Sequence, residues 1–205
     1  MHMNQTASVA APPVPATPPQ TDHRVMLRNV SWADYQRLLE IRGDRSVPRI
    51  TYLQGLIELI SPSQTHESIK SMIACLIEAW CIEKGVDITP YGSWTIENKE
   101  VDRGIEPDEC YVLGDHAEAR RPDLAIEVIW SSGGIKKLDV YRKLGVREVW
   151  IWKKRNVHVY ALRDEGYEEV ERSQLLPNLN IDQLLEFVDI KPMTKAVRAY
   201  KATMA

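Results

Sequence analysis

Residues 122–130 read PDLAIEVIW, and the apolar part of this stretch carries one carboxylate, Glu127, in its middle. Residues 124–130 form the most apolar strand candidate in the chain, as expected of a β-strand that is covered on both faces. A charge inside such a strand is costly unless it is paired or binds a metal. The stretch therefore predicts a central sheet and marks Glu127 as a candidate functional residue.

The flanking sequence alternates between helical and strand patterns. Predicted helices run from Ser31 to the residues before Gly43, from Ser63 or Thr65 to about Lys84, and over 135–144 and 181–187. Predicted strands are a hairpin over 49–61, then 86–88, 93–97, 108–113, 124–130, 147–153, 157–162 and 167–171. Strands in the middle with helices on both sides predict an α/β or α+β fold with a central mixed β-sheet flanked by helices.

The 205 residues are enough for one domain with tails. Residues 1–23 are dense in Pro and Ala, which predicts a disordered tail. A single domain is expected over 24–190. Residues 191–205 are expected to form a C-terminal helical extension, because its apolar side chains recur with helical spacing.

Bulk composition excludes several classes of protein. The formal net charge is −3, so any DNA-binding surface must be a local patch. The three cysteines lack metal-ligand spacing, which indicates reduced thiols. The chain has no apolar run of the roughly 20 residues that a membrane span needs, and we expect a cytoplasmic protein without membrane contact.

Basic side chains that could contact phosphate are Arg103, Arg120, Arg121, Lys136 and Lys143.

Asp108 begins a predicted strand and Glu127 lies on the next strong one. Adjacent strands would bring the two carboxylates close enough to share a hard cation, and Mg²⁺ suits a site with few protein carboxylates. Such a site activates water and offsets charge on a phosphate. The alternatives stay open: Asp108 as a turn residue, and Glu127 in a structural salt bridge to Arg121 or Lys143.

Two further residues have open interpretations. His66 lies on the inward stripe at the start of a predicted helix, where it either caps and packs or serves an active site. Glu58 lies on the second strand of the hairpin, either as part of the same site or as a surface acid.

Several motifs, in this order, resemble the Uma-type (Uma-two) family of putative restriction endonucleases, in the PD-(D/E)xK nuclease superfamily. The resemblance covers about residues 30–188. It is carried by residues 55–62 (GLIELISP) with His66, 106–108 (EPD), 122–128 (PDLAIEV), Lys137, Tyr141, 145–146 (GV), Glu148, Trp150 and 176–179 (LPNL).

This resemblance implies a restriction-endonuclease-like core and a metal-dependent DNA endonuclease that uses Mg²⁺ or Mn²⁺. Asp108 and Glu127 would hold the metal, and Lys137 would assist water attack from the following helix. The family pattern also implies an active-site histidine at His66 and a homodimer.

Ile129 stands where the superfamily usually has its lysine, and the family pattern places that lysine on the following helix, at Lys137. The sequence departs from the family pattern at Gly133, where relatives often have an acid, and over 130–134 (WSSGG), which lacks the usual Ser-Pro pair. The alternative function is therefore a catalytically impaired DNA-binding or scaffold protein with the same fold.

Overall fold

The structure is a computed structural model, and it describes residues 21–114, 118–130 and 134–204. The predicted tail therefore lies almost wholly outside the described residues, as does Gly133. The elements in chain order are β1 (His23–Arg28), α1 (Trp32–Arg42), β2 (Arg49–Leu53), β3 (Leu56–Ser61), α2 (Gln64–Lys84), β4 (Ile88–Pro90), β5 (Ile96–Asn98), β6 (Arg103–Ile105), β7 (Glu109–Leu113), β8 (Leu124–Val128), α3 (Lys137–Leu144), β9 (Glu148–Lys153), β10 (Asn156–Leu162), β11 (Tyr167–Val170), α4 (Ile181–Leu185) and α5 (Met193–Ala202).

Within the described residues the strands form two sheets. One has six strands in the order β11-β10-β9-β8-β7-β4, and the other has five in the order β1-β3-β2-β6-β5. The six-stranded sheet is mixed, since β8 and β9 are parallel and its other pairs are antiparallel. The predicted mixed sheet with flanking helices is confirmed. The second, antiparallel sheet was not predicted from the sequence.

Helix boundaries follow local capping chemistry. Ser31 caps α1 in a capping box: its hydroxyl accepts the Asp34 N–H at 3.2 Å, and Asp34 accepts the Ser31 N–H at 2.8 Å. Ser63 caps α2, and Gly85 ends it in the left-handed conformation with φ of 65°. The predicted start and end of both helices are confirmed.

Strand β8 lies at the centre of the molecule and is buried along its whole length. Leu124, Ile126 and Val128 pack with α2, α4 and α5 in the largest apolar cluster. Ala125 faces the other side, in the cluster that α3 and the five-stranded sheet share. Because side chains alternate along a strand, Glu127 also points to the α3 side.

The sequence analysis missed β1 and β6. β1 is an edge strand that begins at His23, directly after the Pro-rich segment, and it lacks an apolar alternation. β6 has only three residues and a glycine at its centre, Gly104, so it has little strand signal. A Cβ at Gly104 would lie 2.3 Å from the Tyr35 hydroxyl oxygen, which explains why no side chain stands there.

Candidate active site

The neighbouring strands β7 and β8 bring Asp108 and Glu127 together. β7 and β8 are antiparallel, with Glu109 opposite Ile126, and Asp108 comes directly before β7. Its Oδ2 accepts the Val128 backbone N–H at 2.7 Å, which fixes the carboxylate beside the residue that follows Glu127. Asp108 is 2% exposed and Glu127 is 0% exposed. The structure thus brings the two predicted carboxylates together in the interior.

Lys137 and Tyr141 hold Glu127 from the first two turns of α3. The Lys137 ammonium donates to Glu127 Oε2, and the Tyr141 hydroxyl donates to Glu127 Oε1. The spacing of four residues places both side chains on one helical face. Glu127 is thus paired in a salt bridge, as the alternative interpretation expected, but its partner is Lys137 and not Arg121 or Lys143.

Asp108 has two further cationic partners. The Arg49 guanidinium lies 2.9 Å from Asp108 Oδ1, and His66 Nε2 lies 3.0 Å from Asp108 Oδ2. His66 Nδ1 is 2.9 Å from Asp22 Oδ2, so the imidazole bridges two carboxylates. Together with the Val128 N–H bond these contacts show that Asp108 is more than a turn residue.

Arg49 and Asp22 were missed by the sequence analysis. Asp22 lies at the end of the segment predicted to be disordered, yet it accepts the Ser63 backbone N–H at 2.9 Å. Arg49 opens a strand that is otherwise apolar and is itself buried, with its second contact to Glu67 at 2.7 Å. A charged residue at the start of an apolar strand was the available signal.

Burial and neighbouring charges move the two carboxylates in opposite directions. Burial raises the pKa of Glu127 to about 7, against the attraction of Lys137 and with the help of the Asp108 charge. Burial also acts to raise the pKa of Asp108, but Lys137, His66 and Arg49 outweigh it and hold that pKa below its usual value. Two carboxyl groups whose pKa values are pushed apart are typical of catalytic sites.

The cations of the site are held in their charged forms. Burial alone would lower the pKa of His66, but Asp108 and Asp22 outweigh it and raise the pKa to about 9. Burial likewise opposes the charge on Lys137, and Glu127 and Asp108 raise its pKa in spite of it. His66 is therefore held as an imidazolium that donates from Nδ1 to Asp22 and pairs by its charge with Asp108.

Glu58 is buried, with 1% exposure, so the surface-acid interpretation is wrong. Its Oε1 lies 2.8 Å from Arg24 Nε, and its charge helps to raise the pKa of Lys137. Glu58 thus adjoins the cluster through Lys137, although its direct partner is an arginine on β1.

The basic residues predicted near the site are placed differently from one another. Lys136 lies beside Lys137 in the sequence, and both line one pocket next to the start of α3. Arg103 is buried on β6 and donates to the backbone carbonyls of Val101 and Asp102. Its guanidinium is therefore not available to contact a phosphate. Arg121 packs against Gly145 at the far end of α3.

Gly134 is packed tightly against the acid of β3. A Cβ at this position would lie 2.1 Å from Glu58 Oε1 and 3.2 Å from Arg24 Cζ. We expect Gly134→Ala to lower the free energy of unfolding by about 1–3 kcal/mol through overpacking, measured by urea denaturation. Glu58→Asp shortens the opposing side chain, so the double variant should lose less than the sum of the single losses. Strict additivity would contradict this contact.

A mixed sheet flanked by helices, with an acidic pair near the strand ends and a lysine at the start of the next helix, fits the class of nucleases of the restriction-endonuclease type. The family comparison gives the same class: residues 32–192 match the Uma2 model, described as "Putative restriction endonuclease". The chain belongs to this family, and the resemblance drawn from its motifs is confirmed.

One solved structure with a similar fold is a putative nuclease belonging to DUF820 from Anabaena variabilis ATCC 29413. The two chains are 17% identical and superpose with a TM-score of 0.50, over 73% of this chain and 96% of the other. This likeness shows the fold. Comparison with curated proteins gave no match. In the described residues no helix is long and apolar enough to cross a membrane.

Proposed function

We propose that the protein is a metal-dependent DNA endonuclease that hydrolyses phosphodiester bonds. The observation that carries the proposal is the convergence in one buried cluster of Asp108, which precedes β7, Glu127 on β8 and Lys137 on α3. Membership of a family described as "Putative restriction endonuclease" supports the reaction type and DNA as substrate. The homodimer and the cytoplasmic location stay predictions, and sedimentation velocity tests the first.

The donor chemistry of the cluster fits a hard divalent cation. Among the described residues no group of three or more His, Cys, Asp or Glu side chains is arranged to hold a metal. Mg²⁺ and Mn²⁺ need few protein carboxylates, because water and phosphate oxygens complete their coordination. Asp108 Oδ1 and both Glu127 oxygens each contact one cation or donor, so each keeps a lone pair.

In this proposal Asp108 and Glu127 hold Mg²⁺ or Mn²⁺, which when bound supplies a Lewis acid and an activated water. Lys137 keeps its ammonium at Glu127 and stabilises negative charge on the phosphate. Arg49 and His66 act on Asp108: they hold the carboxylate ionised and fixed in direction. Glu58 supports Lys137 by its charge.

A second candidate is a protein of the same fold that binds DNA without cutting it. It is favoured by Ile129, which stands in the place of the usual lysine, and by the ammonium of Lys137, which already neutralises Glu127. The two candidates differ in metal binding and in strand cleavage, and both can be measured.

The test is incubation of the purified protein with supercoiled plasmid and Mg²⁺ or Mn²⁺, with calorimetry of Mn²⁺ binding alongside. We expect nicking that EDTA stops and that added metal restores. Asp108→Asn should weaken Mn²⁺ binding by at least about tenfold, because one of two protein ligands loses its charge. The matched control is Asp182→Asn, at an exposed acid on α4, which should leave Mn²⁺ binding and nicking unchanged.

Two results would overturn the proposal. Cleavage that persists in EDTA would show that the reaction needs no divalent metal. Absence of both Mn²⁺ binding and cleavage in a folded protein favours the DNA-binding alternative.

A further inference from the structure

A pocket of about 400 Å³ lies beside the start of α3, and we call it the α3 pocket. Lys137, Glu58 and Asp22 are among its lining residues, so the pocket reaches the edge of the candidate active site. Most of its wall is apolar and comes from β3, β9, α3 and the residues that follow β8 or precede α3: Ile60, Ile129, Trp130, Ile135, Leu138 and Ile151.

The burial of the site restricts what can reach it. Glu127 has no exposed surface, Asp108 is 2% exposed and the Lys137 side chain is 9% exposed. Intact duplex DNA is too wide and too stiff to enter a pocket of this size, so its phosphates stay outside. A nucleotide that has left the base stack can be extruded into such a pocket, as in enzymes that flip bases.

The walls of the α3 pocket suit a nucleobase. Trp130 is 42% exposed, and its ring is held edge-on to Trp152 with centroids 5.0 Å apart. An exposed, supported indole is a platform on which any base can stack. The apolar residues behind it would take the rest of a flat, weakly polar ring system.

The charges at the rim suit the flanking phosphates. Lys136 and Lys153 line the pocket and are exposed. Of the lining acids, Glu58 is paired with Arg24 and Asp22 with His66. Asp139 is exposed and is the acid that opposes binding of a strand.

We propose that the α3 pocket binds one unstacked nucleobase and that the substrate is therefore DNA with unpaired nucleotides, either a single strand or a bubble in a duplex. This inference rests on the proposed function, since it names the substrate of the same site. Trp130 is the specificity-determining residue: it stacks the extruded base and so places the adjoining phosphate at Lys137.

The test offers one labelled oligonucleotide sequence as single strand, as duplex with a central bubble and as perfect duplex. We expect the first two to be cleaved at least about 100-fold faster than the duplex, because extrusion from paired DNA costs a few kcal/mol. Trp130→Ala should lower the affinity for oligothymidylate, measured by fluorescence anisotropy, by at least about fivefold. Tyr91→Ala is the matched control, since Tyr91 is also 42% exposed and lies outside the pocket.

Equal or faster cleavage of the perfect duplex would overturn the inference, and so would equal affinities of the two variants with unchanged unfolding temperatures. Preferential binding and cleavage of an RNA strand of the same sequence would overturn the choice of DNA. If no substrate is cleaved, the proposed function fails, and the oligothymidylate-binding experiment, done without metal, then decides whether the pocket takes a base.

Discussion

Glu127→Gln should reduce DNA cleavage by at least about 1,000-fold while the protein stays folded. The substitution keeps the shape of the side chain but removes the charge of one of the two protein ligands proposed for the divalent cation. The measurement is the single-turnover rate of cleavage with saturating Mg²⁺ or Mn²⁺. A single-turnover rate within tenfold of that of the original protein would show that Glu127 is not needed for cleavage.

A loss of stability must be separated from this loss of activity. Glu127→Gln leaves the buried Lys137 ammonium without its hydrogen-bonded carboxylate, and breaking a buried pair in this way costs about 3–5 kcal/mol. Adding Lys137→Met removes the stranded charge. The double variant should recover most of the unfolding free energy in urea and stay inactive. Recovery of activity with stability would show that Glu127 has only a structural role.

The parts of the site that follow local rules could be predicted from the sequence. Glu127 is marked by an apolar strand, and the pleat of that strand decides which face it points to. Lys137 and Tyr141 are four residues apart on a helix, so both reach the same carboxylate. Asp108 follows from the pairing of two adjacent strands.

The remaining contacts depend on how distant elements pack. Arg49 reaches Asp108 because the five-stranded sheet packs near the end of β7, and no local pattern encodes that approach. Asp22 lies 44 residues before His66 and was hidden by the Pro-rich segment beside it. Sequence periodicity describes single elements, so contacts between sheets lay beyond it.

Glu148 shows that a family motif can be structural. It opens β9, is 1% exposed and accepts three hydrogen bonds from neutral donors. Trp150 Nε1 and Ser173 Oγ donate to its Oε1 at 2.6 and 2.5 Å, and the Gln174 N–H donates to its Oε2 at 2.8 Å. Ser173 in turn accepts the Leu176 N–H at 2.8 Å. The carboxylate thus ties the segment after β11 to the central sheet.

Glu148→Ala should lower the free energy of unfolding by about 4 kcal/mol, because each buried donor left without an acceptor costs about 1–3 kcal/mol. That is a large share of the roughly 5–15 kcal/mol that stabilises a typical domain. The measurement is urea denaturation followed by tryptophan fluorescence. Glu168→Ala is the matched control: this exposed glutamate is paired with Arg163 at 3.3 Å, and its loss should cost about 1 kcal/mol or less.

Glu148→Gln separates the charge from the hydrogen bonds. Its amide keeps one acceptor oxygen but turns an NH₂ group toward a donor, either the Gln174 N–H or the pair formed by Trp150 and Ser173. We expect a loss between those of the alanine variant and the surface control. Glu148 lies opposite Leu124 at the start of the parallel pair β8–β9, whereas Glu127 lies near the other end of that pair. Variants of Glu148 that stay folded should therefore keep the cleavage rate per folded molecule. A Glu148→Ala loss no larger than that of Glu168→Ala would show that the three hydrogen bonds do not hold this segment.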